Sequence, residues 1–481
     1  MLKWAVITTE LSQNRMNNHE EYKAFFQSNF AGFDTYLKNF SDKEKENFWS
    51  SVFNFSLEKW RLFFSLIRNK ATVQQKYISW EVPPCFTKEV LQKKQTFLVQ
   101  TGRQAFLRGE IAMLTVAGGL GTRLKFNGPK GLVPVTPLKR KTLFQVFAEK
   151  IRVISKKYGR PVHWLIMTSD DTDEETQQAF RKNQWYDLDY IHFFKQGNLP
   201  SFFTSGINLF KEDGSIRCYP DGHGGIFNAL KQSGLFEKLE AWKVSTISYF
   251  QVDNPLVNLD DCLFLGLHKT QASDFSTKVV KKRSADEKVG VFVLEKGKLK
   301  LTEYCEIPKD KLQEKNNLGE LAYCYGNTAI HLLSVDFLKK CAGTPLPYHI
   351  VRKKMDSWDP FTKKTQNIEG FKLEQFIFDA LPWAQHPILY EVSRSEEFSP
   401  VKNYEGNDSL PTCIYDQCKR WQHWLEIAYE NKREFLDNIH DISKNLDVEI
   451  SPLFADNLGD FLVALKKCCQ IPSNLHGLYL E

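Results

Sequence analysis

From residue 111 onward, apolar segments alternate with amphipathic ones, and this alternation restricts the possible folds more than any other feature of the chain. Ile111–Ala117 is an almost unbroken apolar run, which is typical of a strand buried on both faces. Thr142–Lys157 carries its large apolar residues on one side of a helix, and Val162–Met167 is the next apolar run. Further strands are predicted at Ile191–Phe194 and Thr246–Val252. This βαβα order predicts an α/β fold with a mostly parallel, Rossmann-like sheet and helices on both faces.

The segments outside the first strands and helices add three features. The apolar spacing over Leu57–Ile67 predicts a helix, and Val82–Pro84 ends the helical pattern and indicates a linker. Val289–Leu294 and Lys298–Glu303, joined by a glycine turn, predict a β-hairpin, and Trp421–Leu436 predicts an amphipathic helix. We therefore predict three domains: a mainly helical N-terminal domain over residues 1–95, an α/β domain over 96–405 and a smaller C-terminal domain over 406–481.

Composition and charge argue against several classes of protein. The formal net charge is +6 over 481 residues, and the basic clusters are scattered, whereas a nucleic-acid-binding protein concentrates them on one face. The ten cysteines include no CxxC pair, so no zinc site is expected, and the chain of 481 residues is too long for a disulfide scaffold. No apolar stretch has the length of a signal peptide or of a membrane span. We expect a cytoplasmic protein without nucleic-acid or membrane partners.

The stretch Leu114–Gly131, LTVAGGLGTRLKFNGPKG, contains the strongest chemical signal. Gly118, Gly119 and Gly121 remove side chains where the chain leaves a buried strand, so that backbone N–H groups can approach a ligand closely. Successive bare amides form a concavity that binds anions. The stretch lacks the third glycine of a dinucleotide fingerprint and the GxxxxGK[ST] pattern of a Walker loop. What remains is a glycine turn that is followed by its own cations.

Two cations, Arg123 and Lys130, follow the glycines. A guanidinium offers a planar fork of donors to phosphate oxygens, and an ammonium is a compact positive charge. A nucleoside triphosphate that releases pyrophosphate needs positive charge at its departing end. A tight turn with two surface cations is the alternative, and the combination of strand, glycines and both cations favours a nucleotide-binding loop.

The motif GGLGTRL…PKG resembles the signature of sugar-1-phosphate nucleotidylyltransferases. Within that group, the chain is similar to the eukaryotic-type UDP-N-acetylglucosamine pyrophosphorylases and their UDP-sugar pyrophosphorylase relatives. Further blocks follow in the same order as in that family, between about residues 111 and 403: KTLFQVFAEKI, WLIMTS, FFKQGNLP, PDGHGGIF, QVDNPLV, KVV, VGVF, TEYCEI, GNTAIH, GFKLEQFIFD and EFSPVKN. The resemblance implies a GT-A-like nucleotidyltransferase core, with the α/β domain as the catalytic domain.

The resemblance implies a binding site for UTP. The turn from Ala117 to Thr122, with its glycines, would line the nucleotide, and Gly222 would lie close to the base and sugar. Gln196 in FFKQGNLP matches a glutamine whose amide can donate to and accept from a uracil edge. A lone glutamine at the end of a strand is otherwise a surface residue, and the surrounding block favours the binding role.

The resemblance also implies a sugar site, with two departures from the family pattern. N-acetylhexosamine enzymes usually carry Asn at the position of His223, whereas enzymes for UDP-glucose or for a broad range of UDP-sugars more often carry His. The family's Asn-Ala-Gly-Asn is Cys-Tyr-Gly-Asn here, over residues 324–327. We assign His223 to sugar binding, with a structural histidine or a general base as the alternatives. The other residues that match sugar-site positions are Gly290, Glu303, Asn327 and Phe376.

Asp253 follows a predicted strand and is our candidate ligand for Mg²⁺, because this hard cation takes oxygen ligands and accepts one carboxylate together with phosphate oxygens. An Asx turn before Pro255 is the alternative. The resemblance assigns Lys402 in EFSPVKN to the phosphate of a sugar-1-phosphate, and Lys372 is a second basic candidate. For either lysine, a solvated surface charge is the alternative.

Together these residues predict an in-line displacement, in which an oxygen of a sugar-1-phosphate attacks the α-phosphorus of UTP and pyrophosphate leaves. With N-acetylglucosamine-1-phosphate, the product is UDP-N-acetylglucosamine. A UTP:glucose-1-phosphate uridylyltransferase or a broad UDP-sugar pyrophosphorylase is the alternative among enzymes. A non-catalytic UDP-sugar sensor is the alternative from another class. The sequence allows a monomer or a homo-oligomer.

Overall fold

The structure is a computed structural model, which describes residues 19–30, 32–69, 80–204, 208–304, 306–431, 448–467 and 478–481. The chain divides into two compact units, each assembled from separate stretches of sequence. Unit 1 takes Met1–Tyr77, Asn198–Gly222 and Pro347–Phe376, and unit 2 takes Ile78–Gly197, His223–Leu346 and Ile377–Glu481. The domain boundaries predicted at 95/96 and 405/406 follow sequence order rather than compactness, and they stay a prediction.

Strands and helices alternate along most of the described chain. The strands are β1 Trp80–Glu81, β2 Ile111–Val116, β3 Trp164–Thr168, β4 Ile191–Lys195, β5 Asn198–Pro200, β6 Phe202–Phe203, β7 Cys218–Pro220, β8 Thr246–Gln251, β9 Phe275–Lys281, β10 Val291–Glu295, β11 Lys298–Thr302, β12 Tyr325–Ser334, β13 His349–Asp359, β14 Lys364–Glu374, β15 Ile388–Glu391, β16 Val448–Ile450 and β17 Leu478–Leu480. After a helical stretch over 19–29, the helices are α1 Phe33–Lys38, α2 Asp42–Val52, α3 Leu57–Asn69, α4 Lys88–Leu91, α5 Gln95–Leu107, α6 Leu143–Tyr158, α7 Asp173–Lys182, α8 Ile226–Gln232, α9 Leu235–Ala241, α10 Cys262–Thr270, α11 Lys309–Gln313, α12 Val335–Cys341, α13 Arg394–Glu397, α14 Leu410–Asn431 and α15 Leu458–Leu465.

Four neighbouring strands of unit 2 run parallel, in the order β4-β3-β2-β8. Residues 111–115 of β2 are all buried, which means that both faces of the sheet are covered. Because parallel strands end at the same edge of a sheet, the loops that follow β2, β3 and β8 meet at that edge. The predicted α/β class, with a mostly parallel core sheet, is confirmed.

Helix α6 is the helix predicted at Thr142–Lys157. The hydroxyl of Thr142 accepts from the N–H of Gln145 (3.2 Å) and caps the first turn. Gly159, with a φ of 61°, adopts the left-handed conformation that ends the helix. The apolar residues that the helix buries are Leu143, Phe144, Val146, Phe147, Ala148, Ile151, Ile154 and Tyr158.

The remaining strands of the large sheet are mostly antiparallel. β12 pairs antiparallel with both β8 and β9, and β15 pairs parallel with β9. β10 and β11 form the predicted hairpin, in which Glu295 lies opposite Lys298. The two turn residues, Lys296 and Gly297, have φ values of 51° and 73°, as a type I′ turn requires.

Unit 1 has a core rich in aromatic side chains. Helix α3 contributes Leu57, Trp60, Phe64 and Ile67 to the buried residues, as the sequence spacing predicted. β13 and β14 form a long antiparallel hairpin, to which β6 adds a third strand. The other buried aromatic residues of this core are Phe26, Phe30, Phe33, Phe40, Phe48, Phe63, Phe202, Phe210 and Phe371.

The predicted break at Val82–Pro84 lies in unit 2, directly after β1, and is neither helical nor extended in a sheet.

The C-terminal part of unit 2 contains a small core of its own, in which β16 and β17 pair in parallel. Helix α14 begins at Leu410, so the start predicted at Trp421 is wrong. The hydroxyl of Ser409 accepts from the N–H of Thr412 (3.3 Å), and Pro411 fits the first helical turn, where its missing N–H is not needed. Residues 432–436 of the predicted helix lie outside the described residues. Among the residues that the structure describes, no helix combines the length and apolarity that crossing a membrane requires.

Two glycines let α5 and α10 touch backbone to backbone. A Cβ at Gly102 would lie 2.0 Å from the carbonyl oxygen of Cys262, and a Cβ at Gly266 would lie 1.8 Å from that of Leu98. Neither contact leaves room for a side chain, because the opposing atoms belong to a helical backbone that cannot move aside locally. Helix α10 is therefore fixed against α5 by sequence positions that accept only glycine.

Gly266→Ala is expected to lower the free energy of unfolding by about 3 kcal/mol, because the added methyl group forces the two helices apart. Urea unfolding followed by circular dichroism measures the change. Gly343→Ala is the matched control, since the nearest atom to a Cβ there is 3.9 Å away, and its stability should change by about 0.5 kcal/mol or less. Equal stabilities for the two variants would contradict the close helix contact.

Candidate active site

The loops that follow β2 and β8 bring two of the predicted residues into contact. Lys130, from the loop after β2, lies 2.9 Å from a carboxylate oxygen of Asp253, which follows β8. The N–H of Val401 donates to the carbonyl oxygen of Asp253 (2.8 Å), which places the segment carrying Lys402 beside this pair. Three residues that are far apart in sequence therefore share one site at the carboxyl edge of the parallel strands.

Asp253 is almost fully buried between cations. Burial alone would raise the pKa of its carboxyl group, but the charges of Lys130 and Lys402 and the hydrogen bond from Lys130 outweigh burial and lower the pKa below the ordinary value. The carboxylate is therefore ionised at neutral pH. Arg123 is exposed in the glycine turn and forms no salt bridge with a described residue. Three cations against one carboxylate leave an excess of positive charge, which suits an anionic ligand.

The glycine turn is a closed loop that uses only part of its hydrogen-bonding capacity internally. The N–H of Gly121 donates to Gly128 (2.8 Å), and the N–H of Lys130 donates to Gly119 (3.0 Å). The amide of Gly121, which the sequence assigned to the anion-binding concavity, is thus already paired. The N–H groups of Gly119 and Leu120 donate to no residue that the structure describes. These two amides remain for a ligand.

No contact with a described residue and no backbone strain requires a glycine at position 119. A Cβ at this position would meet nothing within 4 Å, and the backbone is not in the left-handed region. Other glycines of the same loop are required by packing: a Cβ at Gly121 would lie 2.9 Å from Phe126, and one at Gly131 would lie 2.1 Å from Phe144. Glycine at position 119 therefore leaves the backbone open to approach by a group from outside, as the predicted nucleotide-binding role requires.

Gln196 lies against the start of the glycine turn. A Cβ at Gly118 would lie 2.8 Å from the side-chain oxygen of Gln196, so glycine leaves room for this amide. The hydroxyl of Ser169 donates to the carbonyl oxygen of Gly118 (2.9 Å) and fixes the chain where it enters the turn. Ala117 is buried before the turn and Thr122 is exposed within it. The structure therefore makes Gln196 and the turn neighbours, and the contact with uracil stays a prediction.

Asn254 holds two segments of the site together. Its side-chain amide donates to the carbonyl oxygen of Glu397 (2.7 Å), and its side-chain oxygen accepts from the N–H of Ser399 (3.1 Å). The same oxygen lies 3.4 Å from the N–H of Leu256, in the manner of an Asx turn. The turn left open as the alternative for Asp253 is thus made by its neighbour, while Asp253 faces Lys130.

The residues at Asp253 fit a magnesium ion that is completed by its substrates. The carboxylate is ionised and lies beside the cations that would bind phosphate groups. No group of three or more His, Cys, Asp or Glu side chains in the described part of the chain has the arrangement of a metal site. Mg²⁺ accepts one carboxylate together with phosphate oxygens and water. Asp253 would therefore hold the ion only in company with bound phosphates.

The backbone orients the imidazole of His223. This residue opens the short turn His223–Gly225, ahead of α8, which is the helix predicted at Ile226–Lys231. The Nδ1 atom accepts from the N–H of Ile377 (3.1 Å), so the neutral ring carries its proton on Nε2. The ring centroid lies 5.5 Å from that of Phe378, which is buried. Nδ1 of His223 is thus occupied by the backbone, and the contact of this residue with a sugar stays a prediction.

The hairpin β10–β11 and strand β12 bring three predicted sugar-site residues together. The N–H of Asn327 donates to the carbonyl oxygen of Gly290 (2.9 Å). A carboxylate oxygen of Glu303 would lie 3.4 Å from a Cβ at Gly290. The side-chain oxygen of Asn327 accepts from the N–H of Ala329 (2.9 Å), whose φ is 57°, where the register of β12 shifts. The site thus holds Asn327 by both its backbone and its side chain.

The other three predicted residues belong to unit 1, where each has a structural explanation. Gly222 has a φ of 84°, and a Cβ there would lie 2.5 Å from the carbonyl oxygen of Gln375. The ammonium group of Lys372 contacts the carboxylate of Glu374, which neutralises its charge. The ring of Phe376 stacks on His349 at 4.3 Å. Their roles in ligand binding stay predictions.

Sequence reasoning missed one contact at the edge of the site. The ammonium group of Lys125 lies 3.9 Å from the ring centroid of Tyr404, which joins the glycine turn to the segment that carries Lys402. A cation–π contact of this kind is worth about 0.5–1 kcal/mol when it is exposed. The only signal in the sequence was an aromatic residue two positions after Lys402, and no local pattern pairs it with Lys125.

The chain matches one protein family and is similar in sequence to several named proteins. The model of the family described as UTP–glucose-1-phosphate uridylyltransferase matches residues 60–438. The chain is 36% identical over 357 residues to the UDP-N-acetylglucosamine pyrophosphorylase of Saccharomyces cerevisiae, covering 70% of this chain and 74% of the relative. It is 37% identical over 326 residues to UDP-N-acetylglucosamine diphosphorylase 1 of Arabidopsis thaliana. That match spans 64% of this chain and only 63% of the plant protein.

The fold is also found among solved structures. The UDP-N-acetylglucosamine pyrophosphorylase of Trypanosoma brucei, solved in complex with an inhibitor, superposes with a TM-score of 0.75 at 25% sequence identity. The alignment covers 93% of this chain and 98% of that one. The likeness therefore extends over nearly the whole chain, including both compact units.

Gly119→Ala is expected to weaken nucleoside triphosphate binding at least tenfold, equivalent to about 1.4 kcal/mol, because the methyl group occupies the space that a phosphate needs beside the amides. The thermal unfolding midpoint should stay within about 1 °C of the wild-type value, because the Cβ meets no protein atom. Titration calorimetry measures the binding, and unchanged affinity would remove Gly119 from the ligand site. Gly343→Ala serves again as the glycine control.

Proposed function

This chain belongs to the UTP–glucose-1-phosphate uridylyltransferase family, and we propose that it transfers a uridylyl group from UTP to a sugar-1-phosphate. The products are a UDP-sugar and pyrophosphate. The resemblance that the ordered sequence motifs indicated is confirmed by the family match and by relatives named as UDP-N-acetylglucosamine pyrophosphorylases. The predicted enzyme class, a nucleotidyltransferase, is confirmed by the family match and by the names of these relatives.

The contact between Lys130 and Asp253, with Lys402 beside it, is the observation that carries the proposal. In this reaction two anions must meet, so the protein has to position them and to neutralise their charge. A cluster with excess positive charge, next to two unpaired amides of the glycine turn, suits that task. A chain that only sensed UDP-sugars would have no use for such positive charge at the departing end of a triphosphate.

The proposed mechanism assigns one task to each group. Arg123 and Lys130 hold the triphosphate, and the amides of Gly119 and Leu120 donate to its oxygens. Lys402 orients the phosphate of the sugar-1-phosphate for attack on the α-phosphorus, from the side opposite the leaving pyrophosphate. Asp253, together with phosphate oxygens, would hold Mg²⁺, which would supply additional positive charge to the phosphates. No general base is needed, because the attacking phosphate oxygen is already ionised.

We propose N-acetylglucosamine-1-phosphate as the preferred sugar substrate, because the relatives at 36% and 37% identity carry that activity in their names. A second candidate, glucose-1-phosphate, is favoured by His223. An asparagine side chain offers both a donor and an acceptor, whereas the acceptor atom of His223, Nδ1, is already occupied by the N–H of Ile377. The loss of the acceptor is the physical reason to test other sugars.

We also place the protein in the cytoplasm, as a monomer or a homo-oligomer with small-molecule partners. Free thiols fit a reducing compartment, in which disulfides are rare. The cysteines with free thiols in the described part of the chain are Cys85, Cys218, Cys262, Cys324, Cys341, Cys413 and Cys418.

The function is tested by a coupled pyrophosphate-release assay with UTP, Mg²⁺ and each of three sugar-1-phosphates, those of N-acetylglucosamine, N-acetylgalactosamine and glucose. We expect release of pyrophosphate, with the highest kcat/KM for N-acetylglucosamine-1-phosphate. A higher value for glucose-1-phosphate would favour the second candidate. Binding of UDP-sugars without any exchange of pyrophosphate would identify a sensor and overturn the enzymatic assignment.

Arg123→Ala and Lys130→Ala are each expected to slow turnover by roughly a hundredfold or more, since this is the typical loss when one group that stabilises transition-state charge is removed. Steady-state kinetics with the preferred sugar measures the loss. Lys298→Ala, at an exposed position of β11, is the control for removing a surface cation and should leave kcat unchanged. Near wild-type rates for either Arg123→Ala or Lys130→Ala would refute the assigned roles.

A further inference from the structure

A buried lysine beneath the site bridges two carboxylates. The ammonium group of Lys278, on β9, lies 2.6 Å from Asp261 and 2.6 Å from Glu397. Its side chain is only 1% exposed, and those of Asp261 and Glu397 are 14% and 12% exposed. Burial alone would lower the pKa of Lys278, but its two carboxylate neighbours outweigh burial and raise the pKa, so the lysine stays charged. With so little exposure, it cannot touch a bound substrate.

Glu397 begins the segment that carries Lys402, and this segment is bonded repeatedly to the loop of Asp253. The backbone of Glu397 accepts from the Asn254 side chain (2.7 Å), and the N–H of Ser399 donates back to Asn254 (3.1 Å). The N–H of Val401 then donates to the carbonyl oxygen of Asp253 (2.8 Å). Whatever fixes Glu397 therefore also fixes the spacing between Asp253 and Lys402.

Asp261 connects the same lysine to a rigid element. Its carboxylate accepts from the N–H of Phe264 (2.9 Å) and caps helix α10. That helix is fixed against α5 through the close contact at Gly266. Lys278 thus links the first turn of a firmly packed helix to the start of the Lys402 segment.

Stability alone does not explain such a cluster. Buried charges lose their hydration, and a well-packed apolar group of similar volume is often as stable as a buried ion pair or more so. An ionic contact does, however, fix distance and direction more strictly than an apolar one. The cluster is therefore suited to fixing the position of Glu397 relative to Asp261.

We propose that Lys278 is a positioning residue for the reaction: by bridging Asp261 and Glu397, it holds Lys402 at the correct distance from Asp253. This inference rests on the proposed function, because Lys402 matters only if a sugar-1-phosphate binds there. It also makes a claim about the fold that does not depend on activity, namely that the Lys278–Glu397 contact orders residues 397–402.

Glu397→Gln tests the proposal, since it keeps the shape of the side chain and the backbone hydrogen bonds but removes the charge that Lys278 holds. We expect KM for the sugar-1-phosphate to rise at least tenfold, while KM for UTP changes less than threefold. Glu149→Gln is the matched control. It removes the carboxylate from another buried lysine pair in unit 2, in which Lys141 and Glu149 are 2.6 Å apart and 4% and 9% exposed. This control should lower the unfolding midpoint and leave both KM values unchanged.

Amide hydrogen exchange supplies the readout that needs no activity. In Glu397→Gln, the amides of Ser399 and Val401 should exchange at least tenfold faster than in the wild type, and in Glu149→Gln they should not. Asp261→Asn, which retains a capping oxygen for α10, is the second variant and is expected to shift both readouts in the same direction.

If Glu397→Gln loses stability but keeps its KM values and its exchange rates per folded molecule, the cluster is merely structural and the proposal is wrong. Inactivity of both the wild type and Glu149→Gln would instead overturn the proposed function. In that case the exchange measurement still decides whether Lys278 orders residues 397–402.

Discussion

The parallel pairing of β2 with β8 is the constraint on which the site depends. The two strands are in register from Ile111 opposite Thr246 to Val116 opposite Gln251, so they end together. The glycine turn begins directly after one strand, and Asp253 follows the other. A salt bridge between residues 130 and 253 becomes possible only because both chains leave the sheet at the same edge. Gly290, directly before β10, and Asn327, on β12, form a second group of residues that the antiparallel strands bring together.

The buried carboxylate at this edge of the sheet is already paired with a cation before any ligand binds. A buried carboxylate without a partner would be costly, and Lys130 supplies that partner for Asp253. In the mechanism that we propose, Lys130 would contact a phosphate of the bound nucleotide, and Asp253 would hold a metal ion that supplies further positive charge. Exposed Arg123 and half-buried Lys402 need no such internal partner. The carboxylate of Asp253 is thus paired without substrate, and the remaining positive charge at the site suits anionic ligands.

Whether a feature of the fold or the site could be predicted depended on how far apart in sequence the interacting residues lie. The strands, helix α6 and the glycine turn follow from local patterns, and the nearness of Lys130 and Asp253 is consistent with both lying in loops that follow neighbouring parallel strands. The bridge from Lys278 to Glu397 joins residues 119 positions apart with no shared motif, so no sequence pattern indicated it. In the sequence, Asp253 and Asn254 are equally suited to a turn. Only tertiary contacts show that Asp253 pairs with Lys130, whereas Asn254 binds the backbone of residues 397–399. The composition of unit 1, built from three separate stretches, is likewise a product of long-range packing.

The loop after β8 is held in place by side chains from distant parts of the sequence. Its sequence, DNPLV, closes one turn of its own, in which the N–H of Val257 donates to the carbonyl oxygen of Asn254 (3.5 Å), while the carbonyl groups of Leu256 and Val257 accept from side chains outside the loop. Lys150 donates to the carbonyl oxygen of Val257 (2.7 Å), and Arg420 donates to that of Leu256 (3.4 Å). Buried carbonyl groups need such partners, and cations from two helices provide them here. Together with Asn254, these contacts hold Asp253 in place without secondary structure, so its position depends on helices α6 and α14 as much as on the strand before it.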